Sequence, residues 1–208
     1  MPIPTDNFKS PAAISRFFLI CLIGLGLDLW TKSFAFSHLA ENSAAAAVTD
    51  ARPTVVKFIP NWIHFEITVN RGAVFVLGQG QKWLFLAVSV VAIVFLSYLF
   101  ATSGRQRFYQ VILGMLLAGV LGNMYDRIVY GYVRDMIHAL PNWKWPGAWQ
   151  VPVLKYPGDE REVFPFIFNV ADILLCVGVG LMIIYSLFTP HAKEEKKPEG
   201  KPSAQMSS

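Results

Sequence analysis

Charged residues are scarce in this chain of 208 amino acids: Asp, Glu, Lys and Arg make up 15% of it, against 54% hydrophobic residues. The mean hydropathy is +0.43. A soluble domain carries a larger share of charge than this. The scarcity of charge therefore excludes an ordinary soluble enzyme and predicts an integral membrane protein.

Residues for metal or disulfide chemistry are also few. The two cysteines, Cys21 and Cys176, both lie in apolar runs and are predicted to be buried free thiols outside any disulfide framework. The four histidines are scattered, without metal-ligand spacing: His38, His64, His138 and His191. The chain shows no glycine-rich phosphate loop, and basic residues form no long block before the tail. We expect no metal, no cofactor and no nucleic-acid partner.

Long apolar runs are what the chain does contain. Four of them have the length of a membrane span, at about residues 14–37, 83–100, 108–127 and 164–188. The first run continues past its apolar core in a helical pattern, so we predict a retained span and not a cleaved signal peptide. Residues 1–189 are predicted to form a single membrane domain. Residues 190–208 are polar and low in aromatics, which predicts a disordered cytoplasmic tail.

The connection after the first span changes in character along its length. Residues 38–52 are rich in Ala, Ser and Asn and are predicted to be a loop. Residues 54–78 are rich in β-branched and aromatic residues, with partial alternation in WIHFEITVN. This pattern predicts a small β-cradle, turned at Pro60-Asn61 and lying against the membrane.

A second long connection spans residues 138–163 and contains several prolines. It also carries aromatic residues that favour the bilayer interface: Trp143, Trp145, Trp149 and Tyr156. We predict that this connection lies on the membrane surface. Two roles are open from composition alone: a flap over the functional site, or a surface decoration.

Basic residues predict the orientation. They gather before the first span, between the second and third spans, and after the fourth: Lys9, Arg16, Arg105, Arg107, Lys193, Lys196, Lys197 and Lys201. Because basic residues concentrate on the cytoplasmic side, both termini are predicted to be cytoplasmic. The predicted fold class is all-α integral membrane: a four-transmembrane-helix bundle with a small extracytoplasmic β-cradle.

This topology gathers polar residues at one level, the outer membrane face: Asp28, Asn70, Asn123, Asp126, Asn169 and Asp172. Asn123 precedes Asp126 by three residues, and the same spacing separates Asn169 from Asp172. A spacing of three places each amide and its carboxylate on one helix face. Polar groups at the end of a span are costly to place, so their convergence indicates function, against the alternative of ordinary interfacial caps.

Two of these positions also have a structural interpretation. Asp28 precedes Lys32 by four residues, which predicts an ion pair near the membrane edge in preference to a catalytic lysine. Asn70 precedes Arg71-Gly72, where asparagine is more commonly a turn residue.

Carboxylates gathered at one face support more than one function. Two aspartates held close together can share one proton, because two like charges do not both ionise cheaply, and such a pair activates water while it protonates an amide. That is aspartic-peptidase chemistry. A small-solute or proton transporter is the rival, since intramembrane carboxylates serve transport too, and a purely structural bundle is the third alternative. Clustering at one surface favours the peptidase.

Four segments in order carry a family resemblance: GLDLWTK, ITVNRGAVF, LGNMYDRIVYGYVRDMI and FNVAD. Together they resemble lipoprotein signal peptidase, or signal peptidase II, over about residues 27–188. The resemblance implies four transmembrane helices, an outer β-cradle and an aspartyl dyad at the outer face of the bacterial cytoplasmic (inner) membrane. It implies cleavage of prolipoprotein signal peptides before a diacylglyceryl-modified cysteine, in contact with membrane lipid, by a monomer.

The resemblance also implies which residues act. It places the dyad on Asp135 and Asp172. A further group would hold the substrate backbone or support the dyad: Asp28, Asn70, Asn123, Asp126, Arg127 and Asn169. The chain departs from the family pattern at Leu29, at Val74, and in a longer connection between the two dyad positions.

Asp126 competes with Asp135 for a place in the dyad, because both lie in one stretch. Asp126 shares a helix face with Asn123 and is followed directly by Arg127, which favours an ionised, structural carboxylate. Asp135 lies beyond Gly131, where the helix is predicted to end, so the chain can turn it back toward the fourth span.

Overall fold

The computed structural model describes residues 10–49, 55–72, 81–104, 106–146 and 162–188. In chain order the elements are α1 (Pro11–Thr49), β1 (Val55–Ile59), β2 (Ile63–Asn70), α2 (Lys82–Thr102), α3 (Arg107–Val129), β3 (Val133–Ala139), β4 (Ile167–Phe168) and α4 (Val170–Phe188). All four helices are long and apolar enough to cross a membrane. The predicted tail at 190–208, the end of the predicted cradle at 73–78 and the middle of the outer connection at 147–161 lie outside the described residues.

The third helix, α3, is the centre of the helical part. α1, α2 and α4 each pack against it. In an apolar stretch of 18 residues in α3, 56% of the residues are buried. The corresponding share is 22% in α2 and 11% in α4. The outward faces of those two helices carry large apolar side chains such as Val91 and Ile183. Such faces suit a lipid surrounding, in which every backbone polar group must be satisfied within the helix.

Aromatic packing and close helix contacts hold the helices together. The rings of Phe17 and Phe100 stack with their centroids 4.3 Å apart. A Cβ atom at Gly119 would lie 2.6 Å from the carbonyl oxygen of Ala171 in α4. Only a residue without a side chain allows the backbones of α3 and α4 to approach this closely.

The four strands form one antiparallel sheet in the order β1-β2-β3-β4. The hairpin between β1 and β2 turns at Pro60 and Asn61, as predicted, and Asn61 has the left-handed φ of 62° that asparagine tolerates. In the β2–β3 ladder Thr68 lies opposite Asp135. β2 and β3 also pack against α1. We call this end of the helices the sheet end.

Two predicted boundaries change in the structure. α1 continues to Thr49, so the prediction of a loop is wrong for residues 38–49. The alanine-rich sequence there is a strong helix former. α4 begins at Val170 and not near residue 164, because Pro165 is a poor residue for a helix interior and the chain instead reaches α4 through β4.

The cysteines do not share one environment. Cys21 is buried in the helix core, as predicted. Cys176 is exposed on α4, so the prediction of a buried thiol is wrong for this residue. The reason is that α4 buries only a narrow face against its neighbours, and an apolar run in the sequence does not distinguish a core-facing position from an outward-facing one.

Candidate active site

The chain reversal after α3 brings the two ends of the site together. α3 ends at Val129, and Gly131, with a φ of +83°, turns the chain back into β3. Glycine adopts this left-handed conformation without steric cost, and the helix end predicted near Gly131 is confirmed. β3 carries Asp135 and pairs with β4, which leads directly into α4.

Asn169 links the start of α4 to Asp135. Its Oδ1 accepts a hydrogen bond from the backbone N–H of Asp172 at 3.1 Å, and its own backbone N–H donates to Oδ2 of Asp172 at 3.2 Å. This reciprocal pair is a capping box, which satisfies backbone N–H groups that the start of a helix leaves free. The side-chain Nδ2 of Asn169 donates to Oδ1 of Asp135 at 2.5 Å. One asparagine therefore holds both aspartates.

Asn123 in α3 holds Asp172 from the other side. Its Nδ2 donates to Oδ1 of Asp172 at 2.8 Å, and its Oδ1 accepts from Nδ2 of Asn169 at 3.2 Å. Both carboxylate oxygens of Asp172 thus accept hydrogen bonds, one from a side chain of α3 and one from the backbone at the start of α4. These contacts fix the orientation of the carboxylate.

Asp135 is almost completely enclosed, with 1% of its surface exposed. Burial, and next the nearby charge of Asp172, raise the pKa of Asp135 to about 7. Hydrogen bonds from the side chains of Asn169 and Asn70 oppose this rise without cancelling it. Asp135 therefore holds its proton at a pH where an exposed aspartate is ionised.

A buried lysine lies next to this group. The Nζ atom of Lys32, on a fully buried side chain, is 2.8 Å from Oδ2 of Asp28 and 3.4 Å from Oδ2 of Asp126. It also donates to Oδ1 of Asn123 at 3.1 Å. The predicted ion pair between Asp28 and Lys32 is confirmed. The contacts of Lys32 with α3 were missed, because spacing within α1 carries no signal of them.

Asp126 is a fully buried carboxylate that forms an ion pair and several hydrogen bonds with one arginine. Its Oδ1 accepts from Nη2 and Nε of Arg134 at 2.8 and 3.2 Å, and its Oδ2 accepts from the backbone N–H of Arg134 at 2.9 Å. The partner is thus Arg134 in β3, and not the adjacent Arg127 that the sequence pointed to. Two guanidinium N–H groups share one carboxylate oxygen and the backbone N–H binds the other, so these charge-assisted hydrogen bonds orient both side chains.

Arg127 and Asn70 meet at the end of β2. Nη2 of Arg127 donates to the carbonyl oxygen of Gly72 at 3.3 Å, and its guanidinium lies 4.8 Å from the ring centroid of Phe85 in α2. Oδ1 of Asn70 accepts the N–H of Gly72 at 3.0 Å, which is a turn contact. Asn70 therefore has the turn role and also, through its hydrogen bond to Asp135, contacts the candidate site.

Asp28 completes the group from α1. Its Oδ1 accepts the backbone N–H of Ala171 at 2.8 Å, near the start of α4. A Cβ atom at Gly122 would clash with Oδ2 of the same carboxylate, so α3 needs a glycine here. The structure thus gathers all the predicted site residues into one connected group at the sheet end: Asp28, Asn70, Asn123, Asp126, Arg127, Asp135, Asn169 and Asp172. Within the described ranges, no three His, Cys, Asp or Glu side chains are placed to hold a metal.

Residues 20–188 match the family model described as signal peptidase (SPase) II. The chain belongs to the signal peptidase II family. A lipoprotein signal peptidase from Deinococcus radiodurans is 31% identical over 199 residues, covering 95% of this chain and 91% of that protein. Another, from Anoxybacillus flavithermus, is 29% identical over 189 residues, covering 90% and 91%. A solved structure of a bacterial membrane enzyme, 26% identical, superposes with a TM-score of 0.63 over 89% of this chain and 96% of that one.

Membership of the signal peptidase II family decides between the alternatives that the sequence left open. A member of this family is a peptidase and thus a hydrolase, not a transporter or a structural bundle. The four candidate spans agree with an enzyme of the membrane.

Proposed function

We propose that this chain is an aspartic endopeptidase of the bacterial cytoplasmic (inner) membrane. It removes the signal peptide of a prolipoprotein by cutting before the diacylglyceryl-modified cysteine. The family and its lipoprotein signal peptidase relatives support the activity. The observation that carries the aspartic chemistry is that Asn169 holds Asp135 and Asp172 together, with the pKa of Asp135 raised to about 7.

The geometry supports a division of labour within the pair. Asp172, with both oxygens held by N–H donors, acts as the carboxylate that takes a proton from the attacking water. Asp135 acts as the acid and gives its proton to the reacting amide, which leaves as an amine when the C–N bond breaks. The water oxygen forms the new bond to the carbonyl carbon. The proton that Asp172 gained restores the pair.

Arg127 and Asn70 are placed to hold the substrate backbone. The guanidinium of Arg127 already binds a backbone carbonyl, that of Gly72, and Asn70 lies at the end of β2 beside Asp135. An extended peptide that runs along the sheet would meet both side chains. We therefore assign them to substrate positioning, and Asn123 and Asn169 to orientation of the dyad.

The lipid of the substrate would lie on the apolar faces of the helices. α2 and α4 each pack on α3, and the apolar side chains of Ile173 and Val177 on α4 face outward beside the site. A diacylglyceryl chain gains free energy on such a surface, on the order of 0.8 kcal/mol for each buried methylene. The lipid should therefore be required for recognition, and the chain would act as a monomer surrounded by membrane lipid.

We place the sheet end at the outer face of the membrane, with both termini cytoplasmic. The basic residues Arg16 and Arg107 lie at the opposite end of the helices, where the positive-inside rule expects the cytoplasm. The sheet would then be the extracytoplasmic β-cradle of a four-helix bundle. Such a placement exposes the dyad to precursors that have already crossed the membrane.

Removal of the lipid from the substrate tests the proposed function. Two versions of one precursor, identical except for the diacylglyceryl group on the cysteine, should differ in kcat/KM by about a hundredfold or more, because the lipid supplies much of the binding energy. The cleavage products are measured by mass spectrometry in lipid nanodiscs. Equal turnover of the two precursors, or a cut elsewhere than before the cysteine, would overturn the proposal.

The pKa of Asp135 predicts how cleavage depends on pH. A carboxyl group with a pKa raised to about 7 is protonated below that pH and loses its proton above it. Because the reaction needs the proton of Asp135, kcat/KM should fall about tenfold for each pH unit above the pKa. The rate is measured at a series of pH values with the lipidated precursor. A rate that instead rises through neutral pH would contradict the assignment of Asp135 as the acid.

A further inference from the structure

A second group of titratable side chains lies on the sheet, apart from the dyad. His64 in β2 lies directly opposite His138 in β3, and 6% of the His64 surface is exposed. The Nε2 atoms of both rings are buried, and within the described ranges neither has a hydrogen-bond partner. A buried ring nitrogen without a partner is costly, so this pair calls for an explanation.

Two glutamates flank the His138 ring. Oε2 of Glu66 in β2 lies 3.6 Å from its Nδ1, and Oε2 of Glu162 lies 4.0 Å from its Nε2. Glu66 belongs to the sheet, whereas Glu162 belongs to the chain that returns from the outer connection toward β4. His138 is therefore placed between two carboxylates that come from different parts of the fold.

The protonation state of His138 decides whether it can serve both carboxylates. A neutral imidazole carries one N–H, so one of its two nitrogens presents a lone pair to a carboxylate that can only accept. An imidazolium has an N–H on each nitrogen and can donate to both Glu66 and Glu162. We propose that His138, with Glu66 and Glu162, is a proton-controlled clasp that fastens the base of the outer connection to the sheet when the ring is charged.

The other charged groups around the ring are consistent with a single positive charge on the histidine pair. Lys57 in β1 lies opposite His64. Burial, followed by the charges of His138 and Lys57, lowers the pKa of His64, which disfavours a second positive charge beside a charged His138. Lys144 lies opposite Glu162 across an isolated bridge. Arg134, on the same strand as His138, is bound to Asp126.

The clasp matters because the chain beyond Glu162 leads to the candidate active site. The N–H of Val163 donates to the carbonyl oxygen of Trp143 at 2.7 Å, which closes the base of the outer connection. His138 itself lies opposite Ile167 in the β3–β4 ladder, two residues before Asn169. In its effect on cleavage, which rests on the proposed function, His138 is thus a positioning residue for the start of α4.

Hydrogen exchange of the Val163 amide tests the clasp without any activity measurement. The wild-type chain in nanodiscs is compared at about pH 5.5 and about pH 8, on either side of the usual imidazole range, with rates corrected for the intrinsic pH dependence of exchange. We expect about fivefold greater protection at the lower pH, the size of effect that partly exposed ion pairs give. H138Q, which can form hydrogen bonds but cannot charge, should lose this pH dependence.

Two further variants complete the test. H38Q, at an exposed histidine whose Nδ1 bonds within α1, should keep the wild-type difference, and E162Q should lose it. Because E162Q keeps both histidines, it decides the matter if H138Q does not fold. Equal protection of the wild type at both pH values, or a difference that survives in E162Q, would overturn the clasp. A chain that shows the exchange pattern but cleaves no prolipoprotein would contradict the proposed function and not the clasp.

Discussion

Asp135→Asn should abolish cleavage of the lipidated precursor while the fold is kept. The asparagine preserves the shape of the side chain but has no proton to donate to the scissile amide, so the expected loss in kcat is about a thousandfold or more. The measurement is the single-turnover rate in nanodiscs, normalised to folded protein. The unfolding temperature should change little, since asparagine, like the protonated Asp135, is neutral and keeps one oxygen to accept the hydrogen bond from Asn169.

Asp172→Asn is the companion variant, and it should affect stability as well as cleavage. Both oxygens of Asp172 accept N–H donors, so the amide nitrogen of an asparagine would face either Nδ2 of Asn123 or the backbone N–H of Asn169. We expect loss of cleavage together with a lower unfolding temperature, because the capping box at the start of α4 is weakened. If Asp135→Asn remains active, Asp135 is not a member of the dyad.

Asp126→Asn should destabilise the chain strongly. The variant leaves Arg134 and Lys32 without a carboxylate that now lies 2.8 Å and 3.4 Å from their nitrogen atoms. Removal of one partner from a buried ion pair costs about 3–5 kcal/mol in other proteins, because the remaining charge stays buried without compensation. The measurement is the unfolding temperature of the purified protein in one detergent, with the abundance of folded protein as a second readout.

The matched control for Asp126→Asn is Glu66→Gln, which alters a partly exposed carboxylate in β2. Measured at about pH 8, above the range in which the clasp is proposed to close, this control should change the unfolding temperature little, since partly exposed ion pairs contribute little to stability. The residual cleavage of Asp126→Asn should follow the amount of folded protein. A well-folded but inactive Asp126→Asn would move the dyad to Asp126 and Asp172.

The helices could be predicted because a membrane span appears in the sequence as a long apolar run. The runs around Trp83 and Phe108 gave α2 and α3 to within a few residues. β3 could not be found in this way. Its ionisable residues Arg134 and Asp135 are both buried, which no alternation of apolar and polar residues predicts. Their burial is compensated by groups from other elements, Asp126 for the arginine and Asn169 for the aspartate.

The candidate site was predictable as a set of residues but not as a network. Spacings within one helix gave the pair of Asp28 and Lys32, and similarity to a family gave Asp135 and Asp172. The bonds between elements, such as that from Lys32 to Asn123, depend on how α1 packs against α3. Those contacts require glycines such as Gly122, where a side chain would clash with Asp28 of α1. This requirement cannot be read from the sequence, because it arises only when the helices pack together.

We propose above that Asp135 carries the proton that the reaction requires. Infrared difference spectroscopy with pH titration observes this proton directly, through the carbonyl stretch of a protonated carboxylic acid. In the wild-type chain one such band should disappear as the pH passes about 7, and the same band should be missing from Asp135→Asn at every pH. A band that titrates near neutral pH and survives in Asp135→Asn, or the absence of any protonated carboxyl group in this range, would contradict the claim.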